Sequence, residues 1–295
     1  MICIECCQPV DNLYFQSKNG YIKLTICSKC NQVVDKYVEF DKVVLFIDLL
    51  LLRPNAYRHL MYNSLIPTQN QDEKHFQPQI YTRVFRIWML LLLFEVYVNW
   101  AYEEKSYSSS QHSIVKELVL KDFSIASQYL FFFFKSVLDL VSSHIAMQLL
   151  IRYWLKFPDP SYFQEYPKYF FPVVISFTIC ISSIIRLFPI AMLIWPYDIQ
   201  ALKLTKSAIN FVNNFITIDC LNTILINNNS KSHWKLLAIV TWSNYVKALT
   251  SRLLVCFFIS RLYSYSFSSL IQNDYDHSMG LLSSLRDALS ELSLS

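Results

Sequence analysis

Long apolar runs punctuate the chain. Those at residues 84–100, 123–150, 170–195 and 236–259 approach or exceed the roughly twenty residues with which a helix crosses the hydrocarbon core of a bilayer. They predict four membrane spans. Residues 43–52 are also almost wholly Val, Leu, Ile and Phe, broken by Asp48. This run is too short to cross and suits a buried helix or one lying in the interface. Asp48 is placed to pair with Arg53 or Arg58, or to sit on a solvated face. Nearer the N-terminus, Leu13-Tyr14-Phe15 and Tyr21-Ile22-Lys23-Leu24 flank Gly20, a pattern that predicts a β-hairpin. Residues 66–82 are polar and read as a linker.

Two further stretches are amphipathic. Residues 204–226 mix apolar positions with Asn210, Asn213, Asn214, Asp219 and Asn222. Each such group needs a partner inside hydrocarbon, so this stretch is expected on the membrane surface. That leaves four spans, with the sequon Asn228-Asn229-Ser230 in the lumen and the C-terminus in the cytosol. If the stretch crosses instead, there are five spans and both assignments reverse. Leu281, Leu282, Leu285, Ala288, Leu289 and Leu292 predict a final helix resting on the membrane or on a partner.

Composition sharpens this picture. Of 295 residues, 54% are hydrophobic and only 16% charged, below the ~25% charged of a soluble domain. The 22 Phe and 19 Tyr suit bilayer cores and interfacial belts. Two glycines are too few for the Gly-rich turn of a dinucleotide or P-loop site. A formal charge of +4 spread along the chain gives no basis for nucleic-acid binding. In residues 1–20, Glu5, Asp11 and cysteines occupy the place of a leader's apolar core, so the first span is expected to direct insertion.

Cys3-x-x-Cys6 and Cys27-x-x-Cys30 form knuckles on either side of the predicted hairpin. Each pair lets two thiolates reach one ion at ~2.3 Å, and two pairs complete a tetrahedron. This is a zinc-ribbon plan, with Cys3, Cys6, Cys27 and Cys30 ligating a structural zinc. Rubredoxin-like iron and two disulfides are the competing readings, and Cys7 is an extra thiol beside the first knuckle. His59 is expected to be a surface or hydrogen-bonding residue and not a ligand, because four thiolates saturate the ion. Cys180, Cys220 and Cys256 lie in apolar stretches and read as packing residues. Thiolate ligation requires reducing surroundings, which places the N-terminus in the cytosol. The distribution of Lys and Arg agrees: Arg53, Arg58, Lys74, Arg83 and Arg86 precede the first span, and Arg152, Lys156 and Lys168 follow the second.

The cysteine spacing is followed by Asp35-Lys36-Tyr37-Val38-Glu39, then Leu45-Phe46-Ile47-Asp48-Leu49-Leu50-Leu51-Leu52, then Ala56-Tyr57-Arg58-His59-Leu60. In this order, over about residues 1–65, the segment resembles the homology domain of the Arv family of endoplasmic-reticulum membrane proteins. The resemblance implies a part in sterol homeostasis, in sterol and sphingolipid distribution and in glycosylphosphatidylinositol anchor synthesis, in endoplasmic-reticulum and Golgi membranes. It implies no catalytic activity. Membrane lipids, sterol above all, and other endoplasmic-reticulum membrane proteins are the expected partners. A membrane-bound lipid-modifying enzyme, or a subunit of one, is the alternative class.

The expected fold is an N-terminal zinc-ribbon (small β) domain over residues 1–65, the linker 66–82, an all-α multi-span transmembrane domain over 83–262 and a tail over 263–295. Charges within the apolar runs, Lys135, Asp139, Arg186, Lys247 and Arg252, are costly in lipid. They are expected either to pair between helices and fix their packing, or to line a polar groove that receives a lipid headgroup or sterol hydroxyl.

Overall fold

The computed structural model describes residues 1–16, 20–64, 73–107, 114–157, 170–188, 199–225, 232–263, 265–276 and 279–280. The predicted C-terminal amphipathic helix, the sequon and the end of the third apolar run lie outside these residues. Strands β1 (Tyr14–Gln16) and β2 (Ile22–Leu24) pair antiparallel, with Tyr14 opposite Leu24 and Gln16 opposite Ile22. Gly20 lies between them at φ 81°, a conformation that a residue without Cβ adopts freely. A short turn at Lys36–Val38 leads to α1 (Lys42–Leu50). Helix α2 (Pro54–Arg58) has Pro54 in its first turn, where a missing N–H loses no helical bond, and it continues as a wide turn through His59–Asn63.

Long helices follow: α3 (Glu73–Tyr107), the short α4 (Ile114–Asp122), α5 (Ile125–Trp154), α6 (Phe170–Ser182), α7 (Ile199–Ile224) and α8 (Ser232–Tyr263). Residues 267–276 form one more short helix. The stretch expected as a linker is helical from Glu73 on. Among the described residues three segments are long and apolar enough to cross a membrane: Val84–Lys105, Ile125–Trp154 and Phe170–Leu187. The fourth predicted run lies in α8, where Lys247 and Arg252 dilute its apolar character.

The chain packs as two compact units. The first comprises Met1–Leu91, Met147–Arg186 and Ala208–Thr241. Its knuckles and hairpin close around Cys3, Leu13, Cys27 and Val34. Ile2, Tyr57, Met61 and Tyr62, however, share a larger core with Ile151, Phe170, Val174, Leu221, Ile224 and Leu236. A segment of this size buries too little apolar surface alone, and the helices supply the rest. The Tyr62 hydroxyl donates to the Ile224 carbonyl at 2.8 Å, and its ring packs 6.2 Å from that of Phe170. Ser182 meets Thr217 at 3.1 Å, so α6 and α7 run antiparallel. Helix α7, the stretch expected on the membrane surface, packs against α6 within this unit. Its Asn213 and Thr217 are buried on the same helix as Cys220, Leu221 and Ile224, whereas Asn210, Phe211 and Phe215 are exposed.

The second unit comprises Leu92–Ala146, Leu187–Ser207 and Trp242–Ser295. Val96, Val119, Phe132, Cys256, Ile259 and Leu270 form its core. Trp100 stacks on Tyr129 with ring centres 4.6 Å apart and donates its indole N–H to Gln128 at 3.0 Å. The Gln128 amide in turn donates to the Leu120 and Phe123 carbonyls, both at 3.1 Å, fixing the turn from α4 into α5.

Candidate metal centre and polar seam

The four predicted ligands converge. The Sγ atoms of Cys3, Cys6, Cys27 and Cys30 all lie within 4.8 Å of one another. The pairs across the knuckles are tighter: Cys3–Cys30 at 3.7 Å and Cys6–Cys27 at 3.6 Å. Tetrahedral zinc with ~2.3 Å bonds to sulfur sets its ligands about 3.8 Å apart, so the donor set fits that ion. All eight cysteines are free thiols, which removes the two-disulfide reading. Burial pushes the Cys3 thiol up to about 12. The Cys30 backbone N–H, aimed at the Cys27 sulfur, brings that thiol down to about 7.

The two knuckles are copies. The Cys7 N–H donates to the Cys3 carbonyl at 2.9 Å and the Asn31 N–H to the Cys27 carbonyl at 3.0 Å; Cys3 N–H reaches Gln8 at 2.9 Å and Cys27 N–H reaches Gln32 at 2.8 Å. The repeat Ile-Cys-x-x-Cys-x-Gln-x-Val, at Ile2–Val10 and again at Ile26–Val34, is legible in the sequence once the paired knuckles are seen. It assigns Cys7. That residue occupies the position of Asn31, and both take left-handed backbone conformations, φ 62° and 56°, which carry the chain out of each knuckle. Cys7 is buried and its thiol is held above its ordinary range by that burial. It shapes the knuckle and stands outside the ligand set.

The residues between the knuckles and α3 brace this centre. Asp35, fully buried, accepts from the Tyr37 N–H at 3.0 Å and from the Asn63 amide at 2.7 Å. It also meets His59 Nδ1 at 2.7 Å, so His59 is a hydrogen-bonding residue, as expected. Asp48 accepts from the Tyr37 hydroxyl at 2.7 Å and pairs with Arg53 at 3.2 Å, not with Arg58. Arg58 instead donates to the Ile4 and Glu5 carbonyls at 2.8 and 3.1 Å, gripping the first knuckle from behind.

Charges within the helices pair as well. Lys135 meets Asp139 at 3.6 Å, Arg252 meets Asp274 at 3.6 Å and Lys247 meets Glu95 at 4.0 Å. Glu95, in the first apolar run, escaped the sequence reading because one acid among so many Leu and Val residues does not disturb the run. Ser143 and Ser243 join α5 to α8 at 3.2 Å. In the first unit, the Asn213 amide oxygen accepts from Arg186 at 3.0 Å and its nitrogen donates to the Ser182 carbonyl at 3.2 Å. Of the predicted charges, Lys247 and Arg252 thus pair with acids on other helices, Lys135 and Asp139 pair within α5, and Arg186 meets a neutral amide. Two of them have a second role: Lys135 and Arg252, with Glu103 and Asp274, border a cavity of about 100 Å³ walled by Val119, Leu120, Phe131, Phe132, Val255 and Cys256. Cys180, Cys220 and Cys256 are buried among apolar side chains, as predicted.

Comparison with known proteins agrees with the tetracysteine motif. The model of the Arv1-like family matches residues 2–221. The chain is 34% identical to Protein ARV1 of Eremothecium gossypii, with 88% of this chain and 90% of the relative covered. It is 32% identical to Protein ARV1 of Candida albicans, over 93% and 95%. For Protein ARV1 of Saccharomyces cerevisiae the identity is 30%, over 93% and 96%. No solved structure matches.

Proposed function

We propose that this chain, which belongs to the Arv1-like family, is a non-enzymatic endoplasmic-reticulum membrane protein that maintains sterol homeostasis and distributes sterols and other lipids among membranes. Effects on sphingolipid metabolism and glycosylphosphatidylinositol anchor synthesis follow from that role. The N-terminal module faces the cytosol, and its four thiolates hold a structural zinc that keeps the knuckles closed.

The cavity of the second unit is the observation that carries the reading. Its wall is largely apolar, with Phe131, Phe132 and Val255 beside Lys135 and Arg252. Such a surface suits the body of a lipid, with a few polar groups to orient its head. At about 100 Å³ it takes only part of a lipid, and the remainder stays in the bilayer. The charges beside it already hold partners, so a neutral hydroxyl enters without leaving an ion unpaired.

Cells lacking the protein, stained for free sterol and grown with sterol-binding drugs, are expected to show altered sterol distribution and altered drug sensitivity. Normal behaviour in both assays overturns the proposal. A photoreactive sterol should label Phe131, Phe132 or Val255 in the purified protein if the contact is direct.

A further inference from the structure

Helix α1 is inverted. Its acid, Asp48, is 5% exposed, whereas Val43, Phe46, Ile47 and Leu50 are 64%, 56%, 48% and 60% exposed. A helix on a water-facing surface has the opposite order, polar outward and apolar inward. Nine residues rise only about 14 Å, too short to cross hydrocarbon. The inward side is fully committed: Asp48 to Tyr37 and Arg53, and Leu49 to the cores on which it packs. The outward apolar face therefore needs its own apolar surroundings.

Position in the fold says what these are. Leu49 and Leu52 pack against the same core as Val84 and Ile87, which open the first apolar segment, and Leu150, close to the end of the second. Helix α1 thus lies where two candidate spans begin and end. Tyr153 and Trp154, 74% and 49% exposed at the end of α5, mark the same level with the aromatic pair typical of a membrane interface. The exposed charges bordering the face are Glu39, Asp41, Lys42 and Arg53, two of each sign. Anionic lipid is therefore not the attraction; apolar area is.

We infer that the outward face of α1 lies in the headgroup–acyl boundary of the leaflet on the metal module's side. It is a monotopic contact that holds the module flat on the bilayer. Through Tyr37, which binds Asp48 on α1 and whose N–H binds Asp35, the contact is joined to the network that braces the first knuckle.

The test uses the full chain in phosphatidylcholine vesicles with the photoreactive residue benzoylphenylalanine at Phe46 or Leu50. The same probe at Tyr21, exposed on the hairpin, is the reference, and each variant is first shown to retain its metal. Irradiation is expected to give several-fold more lipid adduct at residues 46 and 50 than at residue 21, unchanged by added anionic lipid or by salt. Equal adducts at all three positions, adducts to a second copy of the chain, or a yield that rises with anionic lipid and falls with salt overturn the inference.

Discussion

Asn63 clamps the backbone of Ile2 from both sides. Its amide oxygen accepts the Ile2 N–H at 2.9 Å and its nitrogen donates to the Ile2 carbonyl at 3.0 Å, across 61 positions of sequence. The residue clamped adjoins Cys3, the first of the four candidate ligands, so the end of the wide turn after α2 fixes where Cys3 stands. Asn63→Ala leaves two buried backbone groups unpaired, each costing about 1–3 kcal/mol. A lower unfolding temperature and weaker metal retention against a chelator are the expected outcomes, whereas a variant on the exposed hairpin, Tyr21→Ser, should change neither.

The purified protein should contain one zinc per chain by elemental analysis. Cys3→Ser and Cys27→Ser should lose it and, because metal binding and folding are linked in such modules, should also unfold more readily. Cys7→Ser should keep it. Cys7→Val should be destabilised although valine is apolar, because a β-branched residue is strained at φ 62°.

Glu95 and Lys247 pair within apolar helices. Lys247→Met takes the opposing charge from Glu95, and Glu95→Gln takes it from Lys247; a charge in lipid costs about 2.5–3.5 kcal/mol on insertion scales. Each single variant should accumulate to a lower level. The double variant Glu95→Gln/Lys247→Met should recover, measured as the amount of monodisperse protein extracted in mild detergent. Additive losses would mean that the two residues act independently.

Five helices share the core that holds Ile2 and Tyr62: α3 at Val84, α5 at Ile151, α6 at Phe170, α7 at Ile224 and α8 at Leu236. If the thiolate site faces the cytosol, as proposed, and each of these helices crosses, α3, α6 and α8 leave that side while α5 and α7 return to it. That arrangement has five crossings and a lumenal C-terminus, the alternative to the surface-helix expectation for 204–226. The 26 residues of α7 reach about 39 Å, enough to cross. A C-terminal reporter that is active only in the lumen should give signal, and one active only in the cytosol should not.

Much of this protein is local in its physics, and that part was legible in the residues. The four thiols, their x-x spacing and the turn at Gly20 specify a knuckle and hairpin through interactions a few positions apart, and a run of apolar residues specifies a helix for a bilayer wherever it packs. Asp48 and the asparagines of α7 are different. A 3.6-residue period reports that a helix has a polar and an apolar side, but not whether water, lipid or another helix meets each side. Only the packing of α6 against α7, and of Tyr37 and Arg53 around Asp48, decided that Asn213 and Asp48 face protein while Phe211, Phe215, Phe46 and Leu50 face outward. The same holds for Asp35, His59, Asn63 and Ile2: their bonds join positions far apart in the chain, and no periodicity links them until the helices bring them together.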